Sequence, residues 1–195
     1  MEEIIFKVSG IVILAVFYGC YFLKMIRQKK KGIQTNQMGK GKVGFVKAIE
    51  ISLKVISLIV PMVEMISIIT DWNMMPMTVR AIGCVIGALG DAVFVVSVVT
   101  MKDSWRAGVS ETDKTDLVTD GIYQISRNPA FLGFDLVYLG ILFMFFNWVL
   151  FAVSLLAALI FHLQIVNVEE DFLKVTFGND YLEYCKHVNR YLGRR

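Results

Sequence analysis

The chain has 195 residues, of which 56% are hydrophobic, and its mean hydropathy is +0.60. A soluble domain of this length is usually nearer half apolar, so the composition favours a membrane protein and the length favours one domain. The net charge of +3 is too small to indicate a nucleic-acid partner. The three cysteines are scattered and show no disulfide framework or paired metal-ligand spacing, so no metal site is expected.

The apolar segments predict the number of membrane spans, because a helix needs roughly 20 apolar residues to cross a bilayer. Three spans are predicted from Ile4 to about Met25, from about Phe45 to Ile69, and from about Met77 to Thr100. A longer apolar run from Phe131 to about Val166 is interrupted at Asn147, which predicts a helical hairpin of two short spans. The first segment lacks the basic leader of a secretory signal, so we expect it to be retained as a helix.

Lysine and arginine predict the orientation. They are concentrated after the first span, in the polar stretch from Lys102 to Asn128, and in the tail from Asn167 to Arg195. Since basic loops face the cytosol, five spans place the N-terminus outside and the C-terminus in the cytosol. We therefore expect a single all-α domain, a polytopic membrane helical bundle with about five transmembrane helices. Residues 1–100 would supply three spans, and residues 101–195 the hairpin and a cytosolic C-terminal segment.

The third predicted span contains Gly83, Gly87 and Gly90. A dinucleotide-binding fingerprint would need a preceding strand and a βαβ unit, which this sequence lacks. Glycines at this spacing in an apolar helix are typical of a face on which two helices pack closely.

The segment just before the hairpin lies where water meets lipid. Pro129 disfavours helix at Asn128 and can open the next helix, whose free N–H groups would suit a carboxylate or phosphate. The same residues also fit a simple amphipathic helix entry. Arg127 would then reach the lipid headgroups, and Tyr123 would sit in the aromatic belt.

The end of the hairpin carries ionisable and polar side chains. Helical spacing predicts that His162, Val166 and Glu169 share one face, while Gln164 and Glu170 point elsewhere. Ionisable groups at membrane depth are costly and usually functional. Since histidine titrates near neutral pH, His162 is a candidate base. An ordinary helix exit with solvated glutamates remains the alternative for Glu169 and Glu170.

The C-terminal tail shows a third pattern. Gly178 predicts a helix stop. Tyr181, Tyr184 and Val188 then recur at helical spacing, which indicates an amphipathic segment. This segment could lie over a site or simply pack at the membrane interface.

Several short motifs occur in a fixed order: Gly121-x-Tyr123, Arg127-x-Pro129, Gly133, Glu169-Glu170-x-x-Leu173, Phe177-Gly178-x-x-Tyr181 and Arg190. Over about residues 104 to 192, the set resembles the isoprenylcysteine carboxyl methyltransferases and the related phospholipid N-methyltransferases. The resemblance implies a helical membrane bundle, S-adenosylmethionine as the cofactor, and a lipid or prenylated substrate that enters from the bilayer. It implies cofactor contacts at Tyr123, Arg127, Asn128, Pro129, Glu169, Glu170 and Tyr181.

Two departures from this family bear on the substrate. The family usually has histidine where this chain has Asn128. Relatives that methylate carboxylates carry an arginine shortly before the paired glutamates, whereas residues 163–167 contain none. Arg106 could supply the missing cation. The candidate catalytic side chains are therefore His162, Gln164, Arg106 and Glu169.

Methyl transfer to a membrane-embedded lipid-like acceptor is the reaction that the resemblance implies, most directly to a prenylcysteine-type carboxylate. A carboxylate is already ionised at neutral pH and needs no base. Three alternatives remain open: phospholipid N-methylation, a lipid-phase reductase of the sterol reductase type, and a non-enzymatic small transporter or scaffold. For the last, the charged residues of the spans could line a polar path: Glu50, Lys54, Glu64, Arg80 and Asp91.

Overall fold

The computed structural model describes residues 2–109 and 115–194. Its α-helices are α1 (Glu2–Lys30), α2 (Gly44–Thr70), α3 (Met77–Met101), α4 (Pro129–Met144), α5 (Trp148–Gln164) and α6 (Glu170–His187). Short 3-10 turns occupy Lys102–Ser104 and Gly121–Gln124, and a π-helical segment, Ile165–Glu169, joins α5 to α6. Within these described ranges, extended pairing is limited to two isolated bridges. The predicted all-α class is confirmed. Residues 110–114 of the predicted polar stretch lie outside the described residues.

Among the described residues, four helices are long and apolar enough to cross a membrane: α1, α2, α3 and the continuous helix that begins with α5. With α4, which has 16 residues, the described part of the chain has the five apolar helices that the sequence predicts. Large apolar side chains such as Ile66 and Val85 remain exposed on the outside of the bundle, where lipid would cover them. The protein is therefore an integral, multi-pass membrane protein. Its α1 continues past the predicted end near Met25, up to the basic residues at Lys30.

Helices α3 and α4 approach each other through glycines on both partners. A Cβ atom added at Gly140 would lie 2.5 Å from the backbone nitrogen of Gly87, and one at Gly90 would lie 2.7 Å from that of Val137. A Cβ atom at Gly133 would lie 2.8 Å from Cβ of Phe94. The close-packing interpretation of the glycines in α3 is confirmed, and this contact fixes the position at which α4 begins.

Substituting Gly140 with alanine tests this packing. Because the added Cβ would meet backbone atoms that cannot move aside, we expect Gly140→Ala to lower the free energy of unfolding by about 2 kcal/mol. Gly19→Ala in α1 is the matched control, since a Cβ at Gly19 meets no atom within 4 Å. Thermal unfolding of the detergent-solubilised variants measures the difference. Equal melting temperatures for the two variants would contradict the proposed contact.

The connections α2–α3 and α4–α5 lie together at one end of the bundle. Asn147 caps α5 by accepting a hydrogen bond from the backbone N–H of Leu150 at 2.9 Å, and its amide donates to Ser67 Oγ at 2.9 Å. Arg80 and Asp71 form a buried ion pair at 2.6 Å. The predicted hairpin turn at Asn147 is confirmed, and Arg80 stabilises this end of the bundle.

The opposite end carries the basic loops, the π-helical segment and α6, and is called the basic end below. The helix stop predicted at Gly178 is a local break, because the backbone there leaves the helical region (φ 50°, ψ −121°). Helical turns then resume up to His187. The break bends α6, and the tail after it returns to the loop that precedes α4.

Candidate active site

Hydrogen bonds fasten the loop before α4 to the C-terminal segment. The backbone N–H of Arg127 donates to the carbonyl of Asn189 at 3.1 Å, and the side-chain amide of Asn128 donates to the carbonyl of Arg190 at 3.1 Å. The Tyr184 hydroxyl donates to the carbonyl of Tyr123, which is itself buried. Sequence motifs more than 50 residues apart are thereby brought into one site.

Three charged side chains form the centre of this site. Arg190 holds Glu170 through two hydrogen bonds, at 2.7 and 2.9 Å, and Arg127 Nη2 lies 3.1 Å from Glu170 Oε1. Glu170 is buried, and the side chain of Arg127 is only 10% exposed. Burial alone would raise the pKa of the Glu170 carboxyl, but the hydrogen bonds from Arg190 and the charge of Arg127 outweigh it, so this pKa lies below its ordinary value. We call Arg127, Glu170 and Arg190 the charge cluster.

The charge cluster has one positive charge in excess, because two guanidinium groups face one carboxylate. The Nε atom of Arg127 is buried and has no hydrogen-bond partner in the described part of the chain. Its Nη1 atom donates to the Tyr181 hydroxyl at 3.0 Å. A buried donor of this kind beside excess positive charge suits a ligand that carries a carboxylate.

The π-helical segment changes which side chains meet at the end of α5. Gln164 is fully buried and donates to Glu169 Oε1 at 3.1 Å. The prediction that Gln164 points away from the face of Glu169 is wrong. The prediction assumed α-helical spacing, whereas the wider turn of a π-helix aligns residues five positions apart. π-Bulges of this kind occur frequently at functional sites.

Glu169 is partly buried, and it ends the π-helical segment, where charged residues replace the apolar residues of the span. Burial raises the pKa of Glu169 from its ordinary 4.5 to about 7, and this effect outweighs the hydrogen bond from Gln164. At neutral pH this carboxyl therefore exists in both its protonated and ionised forms. It could give or take a proton, or stand uncharged beside an anionic ligand.

Glu169 should give the stability of the protein a particular pH dependence. Between about pH 4.5 and pH 7 the folded state keeps a proton that the unfolded chain releases, so the free energy of unfolding falls as pH rises through this window. We expect Glu169→Gln to remove this fall. The melting temperature of the variant, relative to wild type, should rise across this window and level off above it. Parallel melting-temperature curves for the two proteins would contradict the assignment.

A cavity of about 270 Å³ lies next to the charge cluster and is bordered by Glu169 and Ala130. Its polar side is formed by Lys54, Arg106 and Glu169. Its remaining wall is mainly apolar and comes from both halves of the chain, including Tyr18, Phe22, Leu53, Phe131, Phe134 and Phe161. The cavity therefore suits an amphipathic molecule with an apolar body and a polar head.

The polar side of this cavity continues into a basic depression. A second cavity, of about 620 Å³, shares Asn36, Met38 and Lys54 with the first and is also lined by Lys29 and Lys40. Lysines at its rim would attract an anionic group toward the apolar cavity.

Arg106 and His162 are placed differently from one another. Arg106 lines the cavity, and its Nη1 atom donates to the backbone carbonyls of Asp103 and Trp105. His162 is exposed, does not line the cavity, and forms a hydrogen bond through Nδ1 with the Tyr191 hydroxyl. The structure thus brings Arg106 to the same cavity as Glu169 and places His162 beside the tail.

Two acidic residues were not predicted as part of the site: Glu50, named from the sequence only for a possible polar path, and Asp135, which was not named. Glu50 on α2 is fully buried and accepts hydrogen bonds from the backbone N–H groups of Gly39 at 2.6 Å and Val109 at 3.4 Å. It thereby orders the two loops that border the cavity. Asp135 on α4 has a buried Oδ1 atom without a partner among the described residues. The available signal was the isolated carboxylate in an apolar span, which is rarely accidental.

A family model described as phospholipid methyltransferase matches residues 78–180, just over half of the chain. The chain belongs to the phospholipid methyltransferase family. This match begins at the start of α3 and includes Arg127, Glu169 and Glu170. Members of the family are membrane methyltransferases that use S-adenosylmethionine, so the family predicted from the ordered motifs is confirmed.

Curated relatives are similar over shorter stretches. The chain is 35% identical over 72 residues to protein-S-isoprenylcysteine O-methyltransferase B of Arabidopsis thaliana, covering 37% of this chain and 36% of that protein. It is 28% identical over 113 residues to a probable protein-S-isoprenylcysteine O-methyltransferase of Oryza sativa subsp. indica, covering 57% and 59%. The Schizosaccharomyces pombe protein-S-isoprenylcysteine O-methyltransferase is 38% identical over 72 residues, covering 37% and 30%. The matches thus span between 30% and 59% of these relatives' lengths.

Proposed function

We propose that this protein transfers a methyl group from S-adenosylmethionine to a lipid-like carboxylate held in the apolar cavity. One observation carries the proposal: residues that are neighbours in the sequence belong to two adjoining regions, the charge cluster and the apolar cavity. Glu170 belongs to the charge cluster, whereas Glu169 lines the cavity. At the start of α4, Arg127 likewise belongs to the cluster, whereas Ala130 lines the cavity. A cofactor at the cluster and an acceptor in the cavity would therefore meet at these two points.

The residues of the charge cluster suit the methionine part of S-adenosylmethionine. Arg127 and Arg190 would hold its carboxylate, for which the unpartnered Nε of Arg127 is available. Glu170 would hold its ammonium group. We expect Tyr123, Asn128, Pro129 and Tyr181 to contribute further cofactor contacts, as the family resemblance implies. When bound, the cofactor supplies a methyl group on a positively charged sulfonium sulfur.

The charges that line the cavity support an anionic acceptor. Lys54 and Arg106 lie on its polar side, and the adjoining basic depression adds Lys29 and Lys40. These cations would take the part that the arginine before the paired glutamates plays in carboxyl-methylating relatives. The apolar wall would hold the hydrocarbon body of the acceptor and keep water away from its reacting oxygen.

Methylation of a carboxylate requires little proton transfer by the protein. A carboxylate is ionised at neutral pH, so Lys54 and Arg106 need only orient it and the aromatic wall need only exclude water. Because opposite charges are neutralised in the reaction, a dry cavity favours it. Glu169, whose pKa is about 7, can stand uncharged beside the anionic acceptor.

Phospholipid N-methylation is a second candidate, and Glu169 is the observation that favours it. An amine must lose its proton before it can accept a methyl group. A carboxylate with a pKa of about 7 on the cavity wall could receive that proton. His162, the base that the sequence indicated, contacts Tyr191 and does not line the cavity.

Both halves of the chain would contribute to one catalytic domain. The charge cluster comes from residues after 101, but Tyr18, Phe22, Leu53 and Lys54 of α1 and α2 form part of the cavity wall. We place the basic end in the cytosol, where S-adenosylmethionine would be available, because lysine- and arginine-rich loops favour that side. The N-terminal helices would then shape the acceptor site as well as cross the membrane.

Label transfer by the purified protein in lipid nanodiscs tests the proposal. With methyl-labelled S-adenosylmethionine, we expect a base-labile methyl ester on an S-farnesylcysteine-type carboxylate. Lys54→Gln should raise KM for this acceptor by about tenfold, since it removes a cation from the cavity. Lys47→Gln, an exposed lysine of the same helix, is the control. Label found only in phosphatidylethanolamine would favour the second candidate, and label in neither lipid would contradict both.

A further inference from the structure

Three oxygen-bearing side chains are buried together inside the membrane part of the bundle. They are Tyr18 of α1, Glu64 of α2 and Tyr138 of α4, and they lie within electrostatic reach of one another. Glu64 is 0% exposed and Tyr138 is 3% exposed. Both carboxyl oxygens of Glu64 are buried without a hydrogen-bond partner in the described part of the chain, and the buried hydroxyls of Tyr18 and Tyr138 lie within hydrogen-bonding reach of each other.

This group adjoins the apolar cavity. Tyr18 lines the cavity wall. The ring of Tyr138 packs against two other residues of that wall, with centroids 6.1 Å from Phe134 and 5.9 Å from Phe161. Glu64 lies ten residues beyond Lys54 on α2, which corresponds to ~15 Å along the helix. Of the three, Tyr18 faces the cavity, and Glu64 and Tyr138 lie behind it among the buried residues of the bundle.

Leaving the Glu64 carboxyl without a partner is costly. An unpaired buried hydroxyl or carboxyl loses its bonds to water and, inside a membrane protein, is retained mainly for function. Hydrophobic residues of similar size would pack there without this penalty. The other buried polar side chains of α2, Glu50 and Ser67, do have partners: backbone N–H groups for Glu50, and Asn147 for Ser67.

We propose that Tyr18, Glu64 and Tyr138 form a distal polar subsite for a hydroxyl or carbonyl group at the far end of the acceptor's apolar body. When one phenol hydroxyl donates to the other, the second keeps its proton to donate to a ligand oxygen, and Glu64 can accept from a ligand hydroxyl. The inference rests on the proposed function, because it takes the cavity to be the acceptor site. It makes the acceptor polar at both ends, with a hydrocarbon segment between its two polar groups.

A pair of matched probes tests the subsite by binding alone. A medium-chain fatty acid and its ω-hydroxy analogue of the same length differ only in the terminal hydroxyl. Trp105 lines the cavity, so its fluorescence reports binding in a background with Trp72→Phe and Trp148→Phe. We expect wild-type-like protein to bind the ω-hydroxy acid about fivefold more tightly, the usual gain from one buried hydrogen bond.

Tyrosine-to-phenylalanine variants test whether this preference for the ω-hydroxy acid depends on the subsite. Tyr138→Phe should abolish the preference while it leaves the affinity for the plain fatty acid unchanged. Tyr21→Phe, which alters a cavity tyrosine outside the subsite, should retain it. Equal affinities for the two acids, as expected if the group holds only water, would overturn the inference, as would an unchanged preference in Tyr138→Phe. Such a result would leave label transfer from S-adenosylmethionine, and thus the proposed function, unaffected.

Discussion

Replacing Glu170 with glutamine is expected to weaken S-adenosylmethionine binding by about 100-fold or more. Glu170 holds Arg127 and Arg190 together, and without its charge two guanidinium groups would repel each other at the centre of the site. Breaking one partner of a buried ion pair costs about 3 kcal/mol, which corresponds to this factor when it removes the geometry a ligand requires. Isothermal titration calorimetry in detergent measures the affinity directly.

The neighbouring acidic residue provides the control for this prediction. Asp171 is exposed and pairs only with Lys174 on the surface in the described structure. Asp171→Asn removes the same charge one position away, and it should leave the affinity within about twofold because surface ion pairs contribute little. Circular dichroism shows whether each variant keeps its helices. Unchanged binding in a folded Glu170→Gln protein would show that the charge cluster does not hold the cofactor.

Filling the cavity is expected to separate acceptor turnover from cofactor binding. Ala130 lines the cavity one residue after Pro129, close to the charge cluster. A phenylalanine there would occupy space that the acceptor needs, so we expect Ala130→Phe to lower kcat/KM for the acceptor by about 100-fold. The affinity for S-adenosylmethionine should change by no more than about twofold.

A lipid-facing alanine controls for the added ring. Ala152 of α5 is exposed on the outside of the bundle, so Ala152→Phe should leave both the turnover and the affinity unchanged. Label transfer and calorimetry on the same preparations give both quantities. Wild-type turnover by Ala130→Phe would place the acceptor elsewhere on the protein.

The sequence predicted those features that depend on local chemistry. Pro129 opens α4, Asn147 caps α5, and the glycines of α3 pack against α4, each for the physical reason given by its residue type. Arg127 and Glu170 are 43 residues apart, yet the ordered motifs around them indicated one site. In the structure the two side chains are in contact.

The remaining features depend on non-local geometry. The π-helical segment moves Gln164 onto Glu169, and no propensity of these residues marks a single wide turn. The cavity needs walls from α1 and α2, whose contribution the motifs of the C-terminal half do not indicate. The sequence shows Glu50 as a charged residue in an apolar span. It does not show the partners of Glu50, because the backbone groups that it binds belong to other loops of the chain.

Methyl transfer to lipid, measured alongside cofactor binding, tests most directly whether donor and acceptor meet between the charge cluster and the cavity. Purified wild-type protein in nanodiscs should move the methyl label from S-adenosylmethionine into the organic phase. Glu170→Gln should lose both binding and transfer, and Ala130→Phe should lose transfer alone. A wild-type protein that neither binds the cofactor nor labels lipid, or two variants that both transfer at the wild-type rate, would contradict the account.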